Sequence, residues 1–363
     1  MFYENLLVLL YVKFLLILKY ISGGFIGMIL LTGATGYIGS NLWIELLKES
    51  TPVIGIDNYS NSSVSSLEAI SRVSGETPIF FKGDVRDANF LNKIFTEFPI
   101  TIVIHLAALK DIQQSMIYKE EYFDVNVGGL KNLLGIMRNR GCRKIIFSSS
   151  AAIYGLNAIS PIAETSDLIP SNYYGETKLE AEKLLAQEFM KSPAISSVSL
   201  RYFNIAGSHP STLLSDVVIK TSNSLFSAIA KVLLGEKESL SIFGDDWLTK
   251  DGTCVRDYLH VSDLAVGHLG AMRLLNRGNG LFAINLGLGR GQSVNDVISA
   301  CESVTGMQIS KKVSARRKGD VGMSVADIHL ATDLIDWAPT KTLQDMCIDS
   351  FSSLDTRRSQ DSA

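Results

Sequence analysis

The chain has 363 residues, of which 34 are basic and 37 acidic, for a formal net charge of -3, and 46% of it is hydrophobic. That is enough apolar content for one or two packed domains, and too little charge excess for a disordered chain or one that coats nucleic acid. Its four cysteines (Cys142, Cys254, Cys301, Cys347) stand far apart with no Cys-x-x-Cys pair, which argues against a zinc site or a secreted disulfide framework and fits a reducing, cytoplasmic compartment. No nucleic-acid partner and no metal are expected.

Residues 1–27 differ in character from the rest of the chain. Nineteen of them are apolar, broken by Lys13 and Lys19, and they contribute to the positive mean hydropathy of +0.19. A membrane-spanning helix wants about 20 apolar residues, and a lysine near its centre costs roughly 2.5–3.5 kcal/mol. No basic start or small-residue cleavage site marks a signal peptide. The expectation is that Met28 is the natural start and the preceding residues are upstream read-through, with a membrane-associating extension or an extra packed element as alternatives. Any membrane contact is expected through this segment alone.

From Met28 the chain alternates strand and helix signals. The apolar run Met28–Thr32 leads into Gly33-Ala-Thr-Gly36-Tyr-Ile-Gly39, and residues 40–48 then carry Leu42, Leu46 and Leu47 at helical spacing. Further apolar strands are predicted at 53–57, 79–84, 101–105, 144–148 and 197–201. Strands buried on both faces and separated by helices imply an α/β fold, a Rossmann-type doubly wound parallel sheet with ligands at the strands' carboxyl ends. Residues 28–207 read as the nucleotide-binding domain. Residues 208–355, with helices at 224–234 and 294–305, read as a smaller mixed α/β substrate lobe, and 356–363 as a polar tail.

Chemistry enters first at the glycine turn. Gly33, Gly36 and Gly39 allow a tight turn, close approach to a pyrophosphate and a helix packed near the sheet, with its first amides facing the phosphates. Asp57 ends the second strand, where a carboxylate accepts from the adenosine ribose and repels a 2'-phosphate, so NAD is expected rather than NADP. Asp84, ending the third strand, is similarly placed to meet adenine. Tyr174 and Lys178 are four residues apart on one helix face, and Ser148-Ser-Ser150 closes a strand upstream. A phenol loses its proton near pH 10, so making Tyr174 a base at neutral pH needs a shift of about three units, roughly 4 kcal/mol, from nearby positive charge. Ser150, Tyr174 and Lys178 are the candidate catalytic set.

These residues resemble those of the extended short-chain dehydrogenase/reductases. Longer stretches resemble the UDP-glucose (UDP-galactose) 4-epimerases among them: Leu31-Thr-Gly-Ala-Thr-Gly-Tyr-Ile-Gly-Ser40, Gly83-Asp84-Val-Arg86, His105-Leu-Ala-Ala-Leu-Lys110, Ser148-Ser-Ser-Ala-Ala-Ile-Tyr-Gly155, Arg201-Tyr-Phe-Asn204 and Asp251-Gly-Thr-Cys-Val-Arg-Asp-Tyr-Leu-His-Val261. The likeness runs from Met28 to about Asp349. It implies that Tyr37, Ile38, Asn58, Tyr59, Ser60, Asn61, Ser62, Val85, Leu106, Ala107, Ala108, Leu109, Lys110, Asn126 and Phe203 also contact NAD. It further implies a UDP-sugar substrate held by Asn204, Ser224, Leu225, Phe243, Arg256, Arg317 and Ser324, with Ser150 and Tyr174 on the sugar, in a homodimeric enzyme.

Several positions depart from that pattern. Ala152 stands where these epimerases usually have a threonine, Ser224 replaces an asparagine, and residues 211–221 lack the usual Gly/Glu/Asp/Pro-rich sequence. Ser324 is small where some members carry a tyrosine beside the sugar, which leaves room for an N-acetyl group. A 4,6-dehydratase needs an acid and a base after the serine, where this chain has Ala151 and Ala152. Another nucleotide-sugar enzyme, a decarboxylase or reductase, and a non-catalytic NAD-sensing protein are the remaining alternatives.

Overall fold

A computed structural model of the protein describes residues 27–214, 224–317 and 319–352. The apolar segment up to residue 26, the altered segment from residue 215 and the polar tail lie outside the described residues.

The six predicted strands are β1 (Met28–Thr32), β2 (Val53–Asp57), β3 (Ile79–Lys82), β4 (Ile100–His105), β5 (Lys144–Ser150) and β6 (Ser196–Tyr202). Helices α1 (Tyr37–Lys48), α2 (Ser65–Ser74), α3 (Ala88–Glu97), the short α4 (Ile112–Ile117) and α5 (Lys119–Phe123), α6 (Gly129–Arg140) and α7 (Tyr173–Lys191) connect them. Beyond β6 come β7 (Asn204–Ala206), α8 (Leu225–Leu233), β8 (Leu240–Phe243), β9 (Val255–His260), α9 (Val261–Arg277), β10 (Leu281–Leu286) and β11 (Gly291–Ser293). The last elements are α10 (Val294–Thr305), β12 (Lys311–Ser314), β13 (Met323–Ser324), α11 (His329–Ile335) and α12 (Leu343–Phe351).

One seven-stranded parallel sheet runs β3-β2-β1-β4-β5-β6-β10. Its pleat sends alternate residues to opposite faces. Ile29 and Leu31 join Leu42, Leu46, Leu264 and Trp337 in one core, while Met28 and Leu30 join Leu91, Leu130, Leu133 and Leu185 in the other. Strand order reverses between β1 and β4, so a crevice opens at their carboxyl ends. The edge strand β3 stops at Lys82, whose partner Asp57 is the last residue of β2. With no neighbour beyond that point, Asp84 falls in the following loop rather than in the strand.

Residues after 207 divide between two bodies. β10 extends the large sheet, pairing Leu281 with Ser197 through Leu286 with Tyr202, and α9 contributes Leu264, Ala265 and Leu269 to the core that α1 covers. The run Leu281-Phe-Ala-Ile-Asn-Leu286 after a 17-residue helix repeats the earlier alternation, and is the signal that a boundary at residue 207 passes over. The remainder builds a smaller lobe. There β9 pairs with β7, β11 and β13, β8 pairs with β12, and Phe226, Ile229, Leu240, Val297, Cys301, Met346 and Phe351 form a separate core. A bridge between Ile162 and Ala326 ties the loop after β5 to this lobe.

Candidate active site

The glycine turn sits at the strand-order reversal. Gly33 has φ +68°, and a Cβ there would lie 2.8 Å from the amide nitrogen of Ala107. A Cβ on Gly39 would lie 2.1 Å from the Gly33 carbonyl oxygen, so only glycine lets α1 approach the turn this closely. Gly36 is the N-cap of α1, no side chain caps it, and the first turn carries no acidic residue. Its leading amides are therefore left for an anion, the arrangement that a dinucleotide pyrophosphate fits. The Tyr37 hydroxyl donates to the Gly207 carbonyl at 2.5 Å, and Ile38 packs half-buried against the core.

Asp57 is 7% exposed and organises the next loop. Its Oδ1 accepts from the Tyr59 amide at 2.8 Å and the Ser62 hydroxyl at 3.0 Å, and Oδ2 from the Thr35 amide at 3.2 Å. A carboxylate has about four acceptor positions, so one remains for a ribose hydroxyl. Tyr59 holds φ 62°, which is uncommon for a side chain of this size. Asn58 Oδ1 accepts from the Ser60 amide, and Asn61 is exposed. Asp84 differs: Arg86 takes both of its oxygens, at 3.0 and 2.8 Å, Asn58 donates to Oδ2 at 2.9 Å, and the Arg86 amide donates to Oδ1. The guanidinium holds its carboxyl well below the usual carboxylate range. All its acceptor positions are in use, so here Asp84 braces Asn58 and Arg86 instead of presenting a free carboxylate. Val85 is buried against Gly129.

The far wall follows β4. The Leu106 and Ala107 amides both donate to Thr32 Oγ1 at 3.2 Å, Ala108 and Leu109 are half-buried, and Lys110 Nζ stands 6.0 Å from the Tyr37 ring centroid. Asn126 lies in a wide π turn (Asp124–Gly128), which carries its side chain to the Leu109 amide (2.8 Å) and carbonyl (3.0 Å) and to Thr177 Oγ1 (3.0 Å). It thereby pins the 106–110 loop to α7.

α7 begins where Asn172 caps it, accepting from the Gly175 amide at 2.9 Å, and the Tyr174 amide donates to Ser115 Oγ at 3.1 Å. Four residues on, Lys178 is 2% exposed, donates from Nζ to the Ser148 carbonyl at 2.7 Å, and lies 4.9 Å from the Phe147 ring centroid. Burial draws its ammonium down to about 7, against the attraction of Glu182. Tyr174 is half-buried. Burial pushes its phenol up to about 12, and a hydrogen bond with the Ser150 side chain pulls the other way. Ser150 Oγ also accepts from the Ala152 amide at 3.2 Å. Ser150, Tyr174 and Lys178 are thus brought together.

In the smaller lobe β9 lines up three of the expected substrate residues: Asn204 is beside Tyr258 in register, and Ser324 beside Arg256. Arg256 Nη1 donates to the Val255 and Val321 carbonyls, both at 2.9 Å. Arg317 lies over the Phe243 ring at 4.4 Å and pairs with Asp320 at 3.0 Å. Ser224 caps α8 through the Ser227 amide at 3.2 Å, and Leu225 is partly buried against that lobe's core. Phe203 is 8% exposed among Ile153, Tyr154, Ile162 and Ala326, a packing position between loop and lobe.

Sequence reasoning assigned no role to Asp257 or Glu182. Asp257 is fully buried, accepts from the Leu288, Gly289 and Ala326 amides, and so fastens β9 to the loop after β10 and to the segment that follows β13. Burial raises its carboxyl to about 6. Glu182 comes four residues after Lys178 on α7, a spacing visible in the sequence.

A family model described as NAD dependent epimerase/dehydratase matches residues 29–287, well over half of the chain. The chain belongs to the NAD-dependent epimerase/dehydratase family. That match closes one residue beyond β10, the strand that completes the large sheet. Among epimerase relatives, the UDP-glucose 4-epimerase of Bacillus subtilis (strain 168) is 39% identical over 323 residues, spanning 89% of this chain and 95% of its own. The crystal structure of UDP-glucose-4-epimerase from Stenotrophomonas maltophila, with bound NAD and formylated UDP-arabinopyranose, matches with a TM-score of 0.88 at 37% identity, covering 93% of this chain and 100% of that one. The Bifidobacterium longum UDP-glucose 4-epimerase, in complex with NAD+ and UDP, matches with a TM-score of 0.85 at 37% identity, over 91% and 99% of the two chains.

Proposed function

We propose that this chain is an NAD-dependent epimerase that interconverts UDP-glucose and UDP-galactose by inverting C4 of the hexose. The observation that carries this reading is the placement of Tyr174 one turn from the buried Lys178, whose Nζ stands 5.8 Å from the phenol ring, with Ser150 closing the strand beside them and β1 ending in a glycine turn fitted to a dinucleotide. Residues Gly33, Gly36 and Gly39, the leading amides of α1, Asp57 and the 106–110 loop would hold NAD. Bound NAD supplies a hydride acceptor and donor for C4, with no net redox change over the cycle.

The chain's own residues handle the proton. Tyr174 Oη takes it from the sugar 4-hydroxyl and gives it back, and Ser150 Oγ holds the same oxygen. Lys178 contributes positive charge that favours the phenolate. The transient 4-keto sugar must present its other face before reduction, so the site has to hold the UDP firmly and the sugar loosely. Arg256 and Arg317 are assigned to the diphosphate, where a guanidinium gives bidentate contact, Asn204 to a hydrogen bond, and Ser224, Leu225 and Phe243 to the uridine side. Residues 28–207 together with 261–286 are read as the nucleotide body, and most of the remainder as the substrate lobe.

N-acetyl sugars are proposed as further substrates because Ser324 is small and only half-buried beside Arg256. A homodimer through α6 and α7 is also proposed. A shallow groove between these helices, lined by Lys131, Leu134, Arg138, Leu184, Glu188 and Lys191, offers the face, and sedimentation of the purified protein reads the state. Four buried cysteines, none of them in a disulfide, suit residence in the cytoplasm.

The deciding experiment incubates purified protein, without added NAD, with UDP-galactose, UDP-glucose and their N-acetyl analogues, and identifies the products. Interconversion within each pair is expected. A net oxidised or decarboxylated product, or none even after NAD is added, overturns the reading.

A further inference from the structure

We propose that Glu182 is a positioning residue for the reaction: paired with Arg201 and bonded to Ser149, it sets the charge state of Lys178 and fixes the serine strand to the catalytic helix. The inference rests on the proposed epimerase reading and adds a residue that acts through the catalytic set without touching substrate.

The geometry is closed on all sides. Arg201 donates to both Glu182 oxygens, Nε to Oε1 at 3.1 Å and Nη2 to Oε2 at 2.7 Å, and Ser149 Oγ donates to Oε1 at 2.5 Å. The two charged side chains are 5% and 11% exposed. Ser149 lies between Ser148, whose carbonyl accepts from Lys178, and Ser150, whose side chain bears on the Tyr174 phenol and favours its ionised form. One carboxylate therefore anchors the residue between both contacts of the catalytic pair. Arg201 continues outward through Nη1 to the Tyr154 hydroxyl at 2.9 Å, which donates to Asn285 Oδ1 at 2.7 Å, and Asn285 Nδ2 donates to the Ile162 carbonyl at 2.8 Å. Ile162 bridges Ala326, two residues beyond Ser324. The network thus runs from Lys178 to the strand proposed to face the sugar.

Stability alone does not account for it. A buried ion pair of this kind is frequently no better than well-packed apolar residues of the same volume. Its position does matter to Lys178, a buried cation that burial pushes toward neutrality. The groups facing Lys178 are Tyr174 and Glu182 from its own helix, the Ser148 carbonyl and Phe147 ring from β5, and His105 from β4. Burial and Lys178 hold the His105 imidazole down at about 3, so it is neutral near pH 7. Arg201, from β6, bears on Lys178 through Glu182. The carboxylate that favours the ammonium is therefore Glu182, and Arg201 moderates it.

Two variants move this balance in opposite directions. Glu182→Gln removes the negative charge, so Lys178 should lose its proton at a pH about one unit lower, drawing in the alkaline limb of kcat. Arg201→Gln leaves the carboxylate unmoderated, and the same limb should move to higher pH. A purely structural network lowers Tm and kcat in both variants and leaves the limb where it is in the wild type. The Cε resonance of Lys178 in isotope-labelled, NAD-loaded protein, assigned by its loss in Lys178→Arg, reads the same midpoint without turnover, and either variant carries the test if the other fails to fold. Midpoints that stay put, or move in the same direction, overturn the inference. Shifted midpoints in a protein that does not epimerise any UDP-hexose overturn the proposed function instead.

Discussion

Lys178 Nζ stands 5.8 Å from the centroid of the Tyr174 ring, on the same face of α7 and one turn further along it. This spacing gives the phenol a cationic neighbour while the Ser148 carbonyl holds the ammonium from the strand side at 2.7 Å. Because Tyr174 Oη is the proposed proton carrier, Tyr174→Phe should lower kcat by about 100- to 10,000-fold, the usual range for removal of a general acid-base group. The ring contacts survive the change, so bound NAD and Tm should stay near wild-type values. Full-rate epimerisation by Tyr174→Phe would sink the catalytic assignment.

Lys178 predicts an exchange of stability for activity. Its folded value, about 7, lies below the ordinary 10.5, so the unfolded chain holds a proton that the folded chain gives up between those two values. Stability from this group is therefore greatest above pH 10.5, falls as the pH drops toward 7, and stays low below that. Lys178→Met removes the penalty along with the hydrogen bond to Ser148. Scanning calorimetry should show the variant's Tm above wild type at pH 6 and the difference shrinking toward pH 10, while kcat is nearly abolished. A difference in Tm that does not change with pH would show that the lysine's titration is not coupled to folding.

The range of the forces involved decides how much of the fold and site is legible in the sequence. The six strands are legible as short runs carrying apolar residues, the first five of them followed by a helix before the next strand, and the glycine turn because φ +68° at Gly33 and the close approach at Gly39 tolerate no side chain. The pairing of β10 with β6 is not, because Leu281 and Ser197 are 84 residues apart and only the closed sheet brings them side by side. Asp257 stands within a recognisable motif, yet its three amide donors come from loops that converge only on folding. Asp84 shows the converse: its place at the carboxyl end of the sheet is legible, but its position in the loop past Lys82 and its saturation by Arg86 and Asn58 depend on local geometry. Glu182 is visible four residues after Lys178, and its meaning depends on Arg201 arriving from another strand.

Asp57 carries a prediction for cofactor choice. Its carboxylate holds the Thr35 and Tyr59 amides and Ser62 Oγ, and keeps one position for a ribose hydroxyl. Hydrogen bonds to a charged group are worth about 1.5–3 kcal/mol. Asp57→Ala should therefore weaken NAD binding by about 10- to 100-fold, and NADP, no longer repelled, should lose much less. Dissociation constants for both nucleotides, measured calorimetrically on stripped protein, test this. An unchanged preference for NAD would place the discrimination elsewhere.

Ser324 governs the proposed breadth toward N-acetyl sugars. It pairs in register with Arg256, proposed for the diphosphate, and the next residue is fixed by the Val325 amide donating to Ser160 Oγ at 3.0 Å. The backbone at this position is thus anchored, so a larger side chain must grow into the space beside the sugar rather than push its own strand away. Ser324→Tyr should then exclude the 2-N-acetyl group by steric overlap and leave the smaller 2-hydroxyl of UDP-galactose accommodated. The expected result is a loss of at least about 100-fold in kcat/KM for UDP-GalNAc, about 2.7 kcal/mol of transition-state binding, with UDP-galactose changed by only a few fold. Because the two substrates share the UDP and the C4 chemistry, their ratio separates this steric effect from any general damage to the fold. Equal losses for both sugars, or a wild-type protein that leaves UDP-GalNAc untouched, would show that the room beside Ser324 does not set the sugar choice.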